Sequence, residues 1–101
     1  QGVVAVRVTP GRDSQDRSRW NFEIVLDTHS TELNDDLVKA AILIDSEGKE
    51  YQPVLWEGDP PEGHHRKGIL RFDSVSPLTI LIELKIRGVG SVPERTFKWL
   101  F

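Results

Sequence analysis

The sequence contains no cysteine and no methionine. Without cysteine, the chain cannot form a disulfide, bind zinc through thiolates or use a cysteine nucleophile. Because the first residue is Gln1 rather than methionine, we expect a processed or trimmed piece, such as a mature secreted protein, an ectodomain or an excised domain.

A long apolar run and a net positive charge are also missing. The longest apolar stretch, 78–84, is interrupted by Thr79 and Glu83, whereas a spanning helix needs about 20 apolar residues. We therefore expect no transmembrane segment. The formal net charge is −3, which argues against nucleic acid or an anionic membrane as a partner. With 101 residues, the chain can bury one core, and we predict a single domain over residues 1–101.

Alternation of apolar and polar residues, which is typical of half-buried strands, recurs along the chain. It is clearest at Trp20, Phe22, Ile24 and Leu26. The seven predicted strands cover residues 4–8, 20–27, 38–44, 50–56, 68–72, 78–87 and 94–101. Pro53 interrupts the fourth strand, which indicates an edge or a bulge. A single helical turn near 33–37 is the remaining helical alternative.

Seven short strands separated by turns predict an all-β fold, a seven-stranded antiparallel immunoglobulin-like β-sandwich. No disulfide can join the two sheets, so aromatic side chains must fill the space between them. We therefore predict core positions for six of them: Trp20, Phe22, Trp56, Phe72, Phe97 and Trp99.

The loops of such a sandwich alternate between its two ends if successive strands run antiparallel. One end then collects the loops at 28–36, 57–66 and 88–94. We call this end the histidine pole because all three histidines of the chain, His29, His64 and His65, fall in its loops. Loops at the ends of sandwiches commonly carry binding sites.

Imidazole is a common ligand of zinc, copper and nickel, so the histidine pole predicts a candidate site for a divalent transition metal. The candidate ligands are His29 with His64 or His65, completed by a carboxylate from Asp27 or Glu32. The spacing matches no established metal motif. A structural role, in which these histidines bond their own loops or lie exposed, therefore stays open.

Other chemistry has less support in the sequence. The four acidic residues between positions 27 and 36 could hold calcium, but they lack the usual calcium-loop pattern, and we interpret them as a solvated loop. Ser30 adjoins His29, yet sequence neighbours seldom form a nucleophile–base pair. We therefore expect no enzyme, and a small hydrolase is kept only as an alternative.

The opposite end carries a small group of basic residues beside an aromatic ring. We call it the arginine pole, and it is formed by loops 9–19, 45–49 and 73–77. Its basic and aromatic residues are Arg12, Arg17, Arg19 and Trp20. Nearby aspartates neutralise much of the charge, so we interpret the segment as a charged loop rather than a nucleic-acid site.

Three short motifs stand out in the sequence: Asp-Thr-His-Ser at 27–30, followed by an acidic loop, Gly-His-His-Arg at 63–66 and Gly-Ile-Leu-Arg-Phe at 68–72. Together they resemble motifs of small bacterial immunoglobulin-like domains of exported or membrane-anchored proteins. The resemblance covers about residues 20–101 and implies an extracytoplasmic location. It supplies no activity and does not establish the histidines as ligands.

Together these observations predict a non-catalytic interaction or accessory module of an exported bacterial protein. Its partner would be another protein or other domains of its parent chain. The alternative is a metal-binding domain that uses the histidine pole.

Overall fold

The alternating segments form eight strands in a computed structural model, which describes residues 3–101. In chain order, the elements are β1 (Val4–Arg12), β2 (Trp20–Thr28), α1 (Leu37–Ala40), β3 (Ala41–Ile44), β4 (Glu50–Tyr51), β5 (Leu55–Gly58), β6 (His65–Phe72), β7 (Leu81–Arg87), a 3-10 turn (Val89–Ser91) and β8 (Glu94–Leu100). They form two antiparallel four-stranded sheets, ordered β1-β2-β6-β5 and β4-β3-β7-β8. The predicted all-β sandwich is confirmed at this level.

The strand number differs from the prediction because the expected fourth strand divides at Pro53. Its first part becomes β4 in one sheet, and its second part becomes β5 in the other. Pro53 is buried and has no N–H for a ladder. One residue later, the N–H of Val54 already bonds the carbonyl of Arg71 in the other sheet, at 2.8 Å. The proline therefore marks the passage between the sheets.

Side-chain hydrogen bonds shift two further segments away from the predicted alternation. Asp36 caps a helical turn by accepting from the N–H of Val38 at 3.0 Å, so β3 starts only at Ala41. As a result, Ala41 and Leu43 face the core, whereas the predicted third strand had the opposite phase and placed Ile42 there.

The predicted sixth strand begins three residues late for a similar reason. Thr79 is buried, and its hydroxyl accepts from the N–H of Ser46 at 3.0 Å. The apolar residues on either side, Leu78 and Ile80, are consequently exposed. The first strand, in contrast, runs past Pro10 to Arg12 instead of ending in a loop, because an edge strand tolerates proline.

Aromatic side chains occupy the space between the sheets, as predicted. Trp20, Phe22 and Phe72 have no exposed surface. Phe22 is the central ring of the cluster, because its centroid lies 5.6 Å from that of Phe72 and 5.6 Å from that of Trp99. The other members of the predicted set, Trp56, Phe97 and Trp99, are partly buried against the same core.

The two histidine-bearing loops meet at one end of the sandwich, which confirms their predicted grouping. At the histidine pole, the N–H of Thr28 bonds the carbonyl of His64 at 3.0 Å, and the N–H of Leu33 bonds that of Gly63 at 2.9 Å. Over residues 3–101, no helix has the length and apolar character needed to cross a membrane.

Candidate functional site

Two of the five candidate metal ligands meet at the border of the histidine pole. Asp27 on β2 and His65 on β6 are register partners in neighbouring strands. His65 Nδ1 and Asp27 Oδ1 are 2.5 Å apart, and both side chains are more than half exposed. A carboxylate on one imidazole nitrogen fixes the ring orientation and leaves Nε2 as the nitrogen available to a ligand.

The other three candidate ligands occupy different roles. Glu32 Oε2 accepts from the backbone N–H of Gly63 at 3.0 Å, and so ties its own loop to the loop at 59–64. His64 is exposed and contributes its backbone carbonyl to Thr28. His29 is exposed on the first loop. In the described part of the chain, no group of three or more His, Cys, Asp or Glu side chains is positioned to hold a metal ion.

The centre of the histidine pole is Arg66, to which the sequence assigned no role beyond its place in the Gly-His-His-Arg motif at 63–66. Its side chain is 2% exposed. Nη1 donates to the carbonyl of Asp35 at 2.8 Å, and Nη2 donates to that of Asp59 at 3.4 Å. Burial lowers the pKa of Arg66, and the carboxylates of Asp35, Asp59 and Asp36 oppose that shift. The guanidinium therefore joins both loops of the pole from within.

Trp56 covers this guanidinium because two strands approach each other unusually closely. The guanidinium carbon of Arg66 lies 5.3 Å from the Trp56 ring centroid, within the range of a cation–π contact. Gly58 on β5 faces Gly68 on β6, and a Cβ on Gly68 would stand 2.6 Å from a Trp56 ring carbon. Trp56 can therefore occupy this position only because glycine stands at the close approach of the two strands.

One feature of the sequence could have revealed Arg66. It occupies the same phase of β6 as Gly68, Leu70 and Phe72, all of which face the core. A charged residue at an inward-facing strand position is expected to be buried and hydrogen-bonded. Beside it, a cleft of about 280 Å³ opens to solvent between Asp35, Asp36 and Trp56.

The arginine pole is also ordered by backbone carbonyls, although the sequence suggested a charged loop. Arg12 Nη2 and Arg17 Nε donate to the same oxygen, the carbonyl of Pro77, at 3.0 and 3.2 Å. Burial, followed by the charge of Arg17, lowers the pKa of Arg12. Arg19 instead pairs with Asp16 at 3.5 Å and Asp73 at 3.7 Å.

The outer edge of the second sheet is formed by β8, which pairs only with β7 among the described strands. The N–H of Phe101 bonds the carbonyl of Ile80 at 2.6 Å. Since backbone groups alternate in direction along an antiparallel strand, the groups of Thr96, Lys98 and Leu100 point away from β7. These groups are available to another strand.

Comparisons of the chain with protein-family models, with curated proteins and with solved structures found no match.

Proposed function

We propose that this chain is a non-catalytic interaction module of an exported bacterial protein, built on an immunoglobulin-like sandwich, and that it binds a partner polypeptide by strand addition to β8. The exported setting is supported by the sequence motifs that resemble small bacterial immunoglobulin-like domains. The mode of binding is supported by the free edge of the second sheet.

The strand order supports the immunoglobulin-like part of the proposal. An immunoglobulin sandwich places its first, second, fifth and fourth strands in one sheet and the remaining strands in the other. Here the order β1-β2-β6-β5 has the same arrangement once β4 is taken as an extra strand beside β3. Variable-type immunoglobulin domains carry additional strands at that position.

The β8 edge is the observation that carries the proposed mode of binding. Of the four sheet edges, β1 contains Pro10, β4 has two residues and β5 has four. Only β8 combines seven residues with the absence of proline and glycine. At its end, Leu100 lies opposite Leu81, and these side chains are 75% and 47% exposed. Free backbone groups supply affinity in strand addition, and neighbouring side chains supply specificity.

Lys98→Pro tests this mode of binding because it removes one outward N–H without touching the bonds to β7. Peptides selected for binding from a random library should protect the amides of Thr96 and Leu100 from hydrogen exchange. We expect Lys98→Pro to weaken their binding by about tenfold or more, since a backbone hydrogen bond is lost and the edge is obstructed.

Lys98→Ala is the matched control, because it removes the same side chain and keeps the N–H. The control should bind the selected peptides nearly as well as the original chain. Selected peptides that protect other surfaces, or equal affinities for the proline and alanine variants, would contradict strand addition at β8.

A second candidate function, metal binding, is favoured by the Asp27–His65 pair. Zinc, copper and nickel added separately at micromolar concentration should shift the ring resonances of His65 and of His29 or His64. Asp27→Asn should weaken the effect, because it removes the carboxylate that orients the ring. Asp35→Asn, on the same pole, is the control. Ring resonances that none of the three metals moves would exclude this candidate.

A further inference from the structure

Two guanidinium groups converge at the arginine pole without a carboxylate partner. Arg12 and Arg17 both donate to the carbonyl of Pro77, and Arg12 Nε also donates to the carbonyl of Arg17 at 2.9 Å. Within residues 3–101, neither forms a salt bridge, since the nearby Asp16 pairs with Arg19. Because they share one acceptor, the two positive charges lie close together, and like charges repel each other unless an anion binds between them.

These guanidiniums are held in place and still have unused donors. The guanidinium carbon of Arg12 lies 4.6 Å from the ring centroid of Trp20, which fixes its plane. An arginine offers five N–H groups. Arg12 uses the one on Nε and one of the two on Nη2, and Arg17 uses the one on Nε. Donors on both residues therefore remain for an anionic ligand.

An apolar wall adjoins the guanidiniums in an open cleft of about 480 Å³. The wall consists of Ile80 and Phe101. The Phe101 ring stands edge-on to Trp20, with centroids 4.7 Å apart. The cleft also contains Asp13, whose Oδ1 accepts from the N–H of Gln15 at 2.8 Å. Its volume is within the usual range of small-molecule sites.

We infer that this cleft binds a carboxylate that carries an apolar chain or ring. The carboxylate would lie against Arg12 and Arg17, and the apolar part would cover Ile80 and Phe101. A planar carboxylate matches the fork of a guanidinium. A single negative charge is favoured over a dianion because Asp13 lines the same cleft. Such a group occurs in a free fatty acid and at the carboxyl terminus of a polypeptide whose last residue is apolar.

The inference is tested by comparing the binding of octanoate with that of 1-octanol, which has the same chain length without the charge. Binding is measured by amide chemical shifts on the full chain. We expect octanoate to bind at least about tenfold more tightly, through its charge-assisted hydrogen bonds. Arg17→Gln should weaken octanoate binding by about tenfold. Arg7→Gln is the matched control, because Arg7 is exposed on β1 and lines no part of the cleft.

A pair of short peptides ending in phenylalanine distinguishes the two sources of the carboxylate. Binding of the free acid but not of the amide indicates a polypeptide terminus, whereas binding of octanoate alone indicates a free acid. Lys98→Pro should leave the binding of octanoate and of the peptide acid unchanged. This result would distinguish binding in the cleft from strand addition at the β8 edge. Octanoate binding no tighter than that of octanol, or unchanged in an Arg17→Gln variant with native circular dichroism, would overturn the inference.

Discussion

Replacing Arg66 with alanine should lower the free energy of unfolding by about 3 kcal/mol, through lost packing and lost hydrogen bonds in the interior of the histidine pole. The side chain is 2% exposed and bonds carbonyl groups of both Asp35 and Asp59. Without it, these carbonyls lose a partner, and Trp56 loses the surface against which it packs. In a domain of this size, the melting temperature should fall by about 15 °C.

Lys67→Ala is the matched control for this substitution. Lys67 is the next residue of β6, but it is exposed, and its ammonium group lies 3.6 Å from the Glu23 carboxylate on the surface. Exposed ion pairs contribute about 0–1 kcal/mol, so the control should unfold near the original temperature. Equal unfolding temperatures for the Arg66 and Lys67 variants would show that the buried guanidinium does not hold the two loops together.

Replacing Asp45 with alanine should cost about 3 kcal/mol, because three donors lose one acceptor. Asp45 Oδ1 accepts from the N–H groups of Glu47 at 2.9 Å and Lys49 at 3.0 Å, and Oδ2 accepts from Tyr51 Oη at 2.9 Å. Each of these three hydrogen bonds contributes about 1 kcal/mol to stability. Chemical denaturation at neutral pH measures the loss. Asp45→Asn keeps one carbonyl acceptor and should lose less.

The same carboxylate makes stability depend on acid pH. Burial raises the pKa of Asp45, but the hydrogen bonds from Tyr51, Lys49 and Glu47 more than offset this, and the pKa lies below its ordinary value. The contribution to stability is therefore complete above the unfolded pKa of about 3.9 and is lost as the pH falls through the lower folded pKa. Denaturation at pH 7 and at about pH 3 should show a smaller acid loss in Asp45→Asn than in the original chain. Equal losses would exclude Asp45 as a source of acid sensitivity.

Local alternation was sufficient to predict most strands, because a strand that buries one face must repeat its apolar residues with a period of two. The segment Trp20–Thr28 follows this pattern throughout, with Trp20, Phe22, Ile24 and Leu26 all buried. The prediction was wrong where a polar side chain formed a hydrogen bond that the alternation does not show, either locally, as when Asp36 caps the turn before β3, or with a distant partner. Thr79 turned inward toward Ser46, 33 positions away, and reversed the phase of its neighbours.

The candidate sites, too, were predictable only in part from the sequence. That two loops distant in sequence meet at the histidine pole followed from antiparallel reversal alone. That Asp27 faces His65 required the register between β2 and β6. The inward phase of Arg66 was visible in the sequence, but the hydrogen-bond partners of Arg66 and Arg12 could not be predicted. A guanidinium takes its orientation from carbonyls brought near it by folding, and one of these, on Pro77, is 65 residues from Arg12.

By itself, the sequence determined the all-β class and the aromatic core, because both depend on the repeat of neighbouring residues. It also determined the ends of the sandwich on which the charged loops lie, because successive strands reverse direction. Only the tertiary structure decided that Pro53 would divide a strand between two sheets, that β8 would remain an open edge and that paired arginines would stand beside an apolar cleft. These features depend on hydrogen bonds and contacts between residues far apart in the chain, which no local repeat encodes.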